Sequence, residues 1–220
     1  MTIKPADIEK YLGVPKIFPS QIEDKDRIGI ATGIAVTPVG GDIIFVECIL
    51  YPGEGKLTLT GQLGEVMQES AKAAMSFVEA KAGDFNLEPG FFNKHDIHIH
   101  VPEGAMPKDG PSAGIAIVIA LISAATRQPV RRDVAMTGEI TLRGRILPIG
   151  GVKAKLLAAH RAGIKKLILT RKNEKDLTEI PDEIKKALEI EFVEDIEEVC
   201  KFVLVKTEEK QKKAPVRLIK

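Results

Sequence analysis

Between residues 63 and 80, apolar side chains fall at Leu63, Val66, Met67, Ala74, Phe77 and Val78 with polar residues between them. This is the spacing of an amphipathic helix, and Gly83 closes it. The run Asp96-Ile97-His98-Ile99-His100-Val101 alternates strictly, which predicts a strand with the isoleucines on one face and the histidines on the other. Residues 111–125 are almost wholly apolar, which predicts a buried helix. Residues 27–36 and 42–50 read as two strands joined by the turn formers Pro38-Val39-Gly40-Gly41, with a third strand over 56–60.

Further along, residues 139–149 predict two short strands around Arg143-Gly144-Arg145, and 153–162 a helix ended by Gly163. A strand at 166–170, a helix over 182–188 and a strand-helix pair from 190 to 202 complete the reading. Strands and helices that interleave in this way predict an α/β (α+β) fold in which helices cover mixed sheets. Three prolines, Pro5, Pro15 and Pro19, surround a short helical pattern over 7–12. Residues 1–21 therefore read as a connector, 22–205 as the domain proper, and the charged 206–220 as a tail expected to be mobile.

Composition narrows the function classes. The chain has 220 residues, 44% of them apolar, and its 32 Lys and Arg nearly balance its 31 Asp and Glu. This size suits one main domain, and the balanced charge gives no reason to expect nucleic acid or an anionic membrane as a partner. Cys48 and Cys200 are the only cysteines and show no CxxC spacing, so no disulfide framework or cysteine zinc site is signalled. The longest apolar run, 115–125, is too short to span a bilayer, and the first residues hold no apolar signal segment. The chain reads as soluble and not exported.

Candidate chemistry centres on Gly110-Pro111-Ser112-Ala113-Gly114, formally G-x-S-x-G. A hydrolase nucleophile elbow needs a strand running into the serine, whereas residues 102–109 are loop formers. The serine instead precedes a buried helix, where free peptide N–H groups and the helix dipole can stabilise negative charge. A plain helix cap is the alternative for Ser112. A nucleophilic serine needs a base, and His160, inside a helix, is the only downstream histidine. A lysine serves only when neutral, and at pH 8 roughly 0.4% of an unperturbed lysine is. Lys153 and Lys155 begin a helix, where burial and the dipole would both depress a lysine pKa. Helical periodicity does not choose between them. His95, His98 and His100 also admit a metal reading, but zinc needs three or four ligands and no others are marked nearby.

Three long segments in fixed order, Pro107-Lys108-Asp109-Gly110-Pro111-Ser112-Ala113-Gly114, Met136-Thr137-Gly138-Glu139-Ile140 and Leu147-Pro148-Ile149-Gly150-Gly151-Val152-Lys153, closely resemble the peptidase domain of Lon proteases of the bacterial and mitochondrial type. The resemblance extends from about residue 22 to 205. It implies the Lon peptidase-domain fold and a serine endopeptidase with a Ser-Lys dyad, Ser112 as nucleophile and Lys155 as base. It also implies that Thr137 holds the lysine, and that Asp109, Glu47, His98 and His100 support the site. Ala154 departs from relatives, which often carry glutamate there. By the same resemblance the substrates are unfolded polypeptides, the intact protein forms a homo-oligomeric, hexameric ring, and its place is the bacterial cytoplasm, with the mitochondrial matrix as the alternative. No cofactor is expected in this chain. Gly53-Glu54-Gly55-Lys56 does not satisfy the P-loop pattern, so ATP and Mg would belong to an ATPase module whose helical subdomain residues 7–13 resemble.

Overall fold

The computed structural model describes residues 23–37, 40–102 and 108–205, together with positions 4, 7, 10, 11 and 13. Most of the expected connector, the Pro38-Val39 half of the first turn, the loop over 103–107 and the charged tail lie outside the described residues.

Among the described residues nine strands and five α-helices follow one another as β1 (Ile30–Thr37), β2 (Gly40–Pro52), β3 (Leu57–Thr60), α1 (Glu65–Ala80), β4 (His95–His100), α2 (Gly114–Thr126), β5 (Val134–Thr137), β6 (Glu139–Ile140), β7 (Ile146–Leu147), α3 (Val152–Arg161), β8 (Lys166–Thr170), α4 (Asp182–Ala187), β9 (Glu189–Val193) and α5 (Ile196–Val203). Seven strands form one mixed sheet in the order β3-β4-β2-β1-β5-β8-β9, and β6 pairs with β7 alone. In the first half of the sheet β1 pairs antiparallel with β2 and β2 with β4, while the edge strand β3 runs parallel to β4. The second half is parallel, from β1 to β5, β8 and β9. This is the mixed α/β architecture the periodicity predicts.

Helices cover both faces, and each face has its own apolar core. On one side Met67 and Phe77 of α1 and Ile115, Ile119 and Ile122 of α2 pack on Val46, Ile97 and Ile99. On the other, Val152 and Leu156 of α3 and Ile184 of α4 pack on Ile34, Ile43, Leu167 and Leu169. Helix α2 is buried along nearly its whole length, because it lies between the sheet and α1.

Two features differ from the sequence reading. Strand β5 was not predicted: its four residues are all buried, so they show no alternation, as a central parallel strand covered on both faces should not. The helix read as continuous from 111 splits into a 3-10 turn, Pro111–Ala113, followed by α2.

Candidate active site

The loop entering the 3-10 turn is held by its own polar groups. Lys108 N–H donates to the Gln62 carbonyl at 3.2 Å, and its carbonyl accepts from Gly64 N–H at 2.8 Å. The Asp109 Oδ1 then accepts from Met67 N–H at 3.0 Å and from Gly110 N–H at 2.8 Å. Helix α1 begins at Gly64, which has no side chain to cap it. Asp109 supplies that missing acceptor from across the chain and in doing so fixes the turn. Gly110 sits at a φ of +118°, a conformation that side-chain-bearing residues rarely adopt.

Ser112 follows, partly buried, and its side chain makes no capping hydrogen bond to the helix behind it. The simple cap reading therefore fails. Its backbone carbonyl accepts from Gly138 N–H at 2.9 Å and from Thr137 Oγ1 at 3.3 Å. The serine is thus tied to the C-terminal end of β5. Directly behind it Gly114 packs so tightly that a Cβ there would lie 2.9 Å from Ile140 Cγ2 and 3.0 Å from Ser70 Oγ.

Thr137 is fully buried at the end of β5. Its hydroxyl accepts from Lys155 Nζ at 2.8 Å while donating to the Ser112 carbonyl. Lys155 is 2% exposed, while Lys153 points to solvent. Among the described residues no carboxylate pairs with the Lys155 amine, and desolvation pushes its pKa down from 10.5 to about 8. Helix α3 cannot easily move away. The backbone of Ala154 lies so close over Gly41 that a Cβ there would sit 2.3 Å from the Ala154 carbonyl oxygen, and Arg161 donates to the Gly41 carbonyl.

A cleft of about 450 Å³ opens over these groups, walled by Val36, Asp109, Ser112, Glu139, Lys155 and residues 148–151. A smaller cavity of about 90 Å³ adjoins Ser112, lined by Ile34, Val36, Ile43, Ile44 and Met67 with Lys108 and Asp109 at its polar side. Strand β1 pairs with β5 only at Thr32 and Gly33, yet residues 34–37 continue into the wall of the cavity and Val36 also into that of the cleft.

Not every candidate residue meets there. Glu47 stands opposite His100 on neighbouring strands. His98 Nε2 and His100 Nδ1 each lie 2.8 Å from Thr60 Oγ1. None of these three residues lines the cleft or the cavity. His160 is exposed on α3. Among the described residues no group of His, Cys, Asp and Glu is arranged to hold a metal ion. No described helix is long and apolar enough to cross a membrane. Asn173 escaped the sequence reading altogether; it is buried within a charged stretch and hydrogen-bonds Ile149 in the wall of the cleft.

Residues 2–206 match the family described as the Lon protease (S16) C-terminal proteolytic domain. The chain is 57% identical over 197 residues to Lon protease 1 of Thermus thermophilus, covering 90% of this chain and 25% of that protein. It is 53% identical over 207 residues to the Lon protease of Dictyoglomus thermophilum, covering 94% of this chain and 26% of that protein. With the Lon protease of Brucella suis, identity is 55% over 203 residues, covering 92% and 25% respectively. The chain therefore spans about a quarter of the length of the curated relatives it matches. On this match the chain belongs to the Lon protease family, as its C-terminal proteolytic domain.

Proposed function

We propose that this proteolytic domain cleaves peptide bonds by a Ser-Lys dyad, with Ser112 Oγ as nucleophile and the neutral amine of Lys155 as its base. The observation that carries the reading is a buried lysine amine, without an ion-pair partner among the described residues, in the same cleft as Ser112, its pKa lowered to about 8. A neutral amine has two hydrogens and one lone pair. Lys155 donates one hydrogen to Thr137, which orients the amine and leaves the lone pair to take the Ser112 proton. Thr137 in turn donates to the Ser112 carbonyl, so one hydroxyl indexes the base to the segment carrying the nucleophile.

In the first half-reaction Oγ–H gives its proton to Nζ as oxygen attacks the scissile carbonyl. Peptide N–H groups at the start of the 3-10 turn, which a helix leaves without intrahelical acceptors, meet the developing oxyanion. Collapse of the tetrahedral species breaks the C–N bond, and the Lys155 ammonium returns its proton to the leaving amine. Water, deprotonated by the same lysine, then hydrolyses the acyl-enzyme and regenerates Ser112. The edge of β1 over residues 34–36, beyond its pairing with β5, is suited to an extended chain that adds as a strand, and the small apolar cavity to one of its side chains. Such a site takes unfolded polypeptide. In the intact protein, unfolding and delivery would fall to an ATPase module that binds ATP and Mg, in a six-membered ring in the cytoplasm.

The test is hydrolysis of a fluorogenic peptide or an unfolded protein by the chain beside Ser112→Ala and Lys155→Ala. Each variant is expected to lose on the order of 10³-fold or more in kcat, and the wild-type rate to rise with pH through about 8 as Lys155 deprotonates. Activity that survives in Ser112→Ala would overturn the reading.

A further inference from the structure

Residues 148–151 form one wall of the cleft and lead directly into α3. Their sequence, Pro148-Ile149-Gly150-Gly151, combines a residue without an N–H and two glycines, and none of the four is in a strand or helix. Gly151 adopts a φ of +69° and its carbonyl accepts from Lys155 N–H at 3.0 Å. Where this segment sits therefore decides where the first turn of α3, and with it Lys155, is placed. A chain so rich in glycine has little conformational preference of its own, so its position must be imposed by a neighbour.

That neighbour is Asn173. It is 2% exposed, although the 3-10 segment that carries it, Arg171–Glu179, is strongly charged and otherwise mostly exposed. Its Oδ1 accepts from Ile149 N–H at 3.0 Å and its Nδ2 donates to the Ile149 carbonyl at 2.9 Å. One side chain thus occupies both peptide groups of a single residue, as a strand partner would. The second Nδ2 hydrogen goes to Asp176, which locks the amide orientation. Nearby, Thr170 Oγ1 donates to the Ile146 carbonyl at 3.2 Å, so two consecutive ties join the end of β8 to the strand and loop leading into α3. Only a carboxamide can both donate and accept here: a carboxylate would repel the Ile149 carbonyl, and a methyl group would leave both peptide groups unpaired.

We propose that Asn173 is a positioning residue for hydrolysis: by clamping Ile149 it fixes the cleft wall over residues 148–151 and sets where Lys155 enters the site. The inference rests on the reading of Lys155 as the base. Loss of the clamp frees the wall, admits water toward the amine, and misplaces Nζ relative to Ser112 Oγ. The first consequence alters proton affinity and the second alters rate. A purely structural residue would change only the fraction of folded protein.

The experiment measures kcat and KM for a fluorogenic peptide between roughly pH 6 and 10, for the wild-type chain, Ser112→Ala, Asn173→Ala and Asn173→Asp, with folding checked by circular dichroism. For Asn173→Ala we expect kcat to fall on the order of 10–100-fold and the midpoint of the pH–rate curve to move above the wild-type value, as the amine becomes better hydrated. Asn173→Asp, which keeps the shape but sets a carboxylate against the Ile149 carbonyl and Asp176, should move both in the same direction by at least as much. Folded variants with wild-type midpoints and kcat within about threefold overturn the proposal, as does loss of folding in both. An active Ser112→Ala would instead sink the dyad itself, which separates failure of the premise from failure of the inference.

Discussion

Two polar clusters on the same sheet stand in contrast. At the C-terminal end of β5, Thr137 links a buried lysine to the Ser112 segment. On β3 and β4, Thr60 links two histidine rings. In each, one threonine hydroxyl joins two partners. They differ in what covers them. Helix α3 packs on β1 and β2 and carries Lys155, out of water, to the β5 end, while Thr60 is exposed and its histidines are partly so. Burial lowers the pKa of the lysine to about 8. A polar cluster becomes reactive when one member is held in a protonation state that water would not favour, and a covering helix achieves that.

The contrast breaks most readily at Lys155. Its folded pKa of about 8 lies below the ordinary 10.5, so between those values the unfolded chain binds more protons and wild-type stability rises with pH. Lys155→Met removes this burden. It should abolish hydrolysis yet raise the unfolding free energy at pH 7 by roughly 3 kcal/mol, a gain that shrinks as pH climbs from about 8 to 10.5. Urea unfolding across that range is the measurement, and a gain independent of pH would show that the lysine is not desolvated. Next in size, Thr137→Val keeps the volume but strips the amine of its acceptor. A loss in kcat on the order of 10–100-fold is expected, with Thr137→Ser restoring most of it; a valine variant within twofold of wild type would remove Thr137 from the site. The smallest effect belongs to Thr60→Val, which should cost about 1 kcal/mol of stability and leave the midpoint of the pH–rate curve in place. A shifted midpoint would mean that the two clusters communicate.

Much of this architecture is legible in the chain, and the exceptions have physical causes. The alternation over 96–101 and the amphipathic spacing of α1 appear in the structure, with Val66 the exception, exposed instead of buried. Strand β5 escaped because burial on both faces removes the alternation that marks a strand, and it carries Thr137, which only family resemblance picked out. Periodicity alone does not separate Lys153 from Lys155, because Leu157 and Ile164 set the apolar side of the helical wheel against Val152, Leu156 and Ala159. In the structure α3 ends at Arg161, so Ile164 has no place on that wheel. The buried positions Val152, Lys155, Leu156 and Ala159 then form one stripe. Asn173 was invisible for the opposite reason: its neighbours are charged and exposed, and its role depends on a hydrogen bond to a backbone 24 residues away, which no local pattern encodes.

The order of the elements along the chain also has a temporal consequence. The hydrogen bonds that join the Ser112 segment to Thr137 and Thr137 to Lys155 span 25 and 18 residues, and both require β5 to be seated beside β1, a strand that leaves the ribosome about a hundred residues earlier. During synthesis Ser112 therefore emerges before Thr137 and Lys155, and the hydrogen bonds that place its segment form only once β5 has reached the sheet.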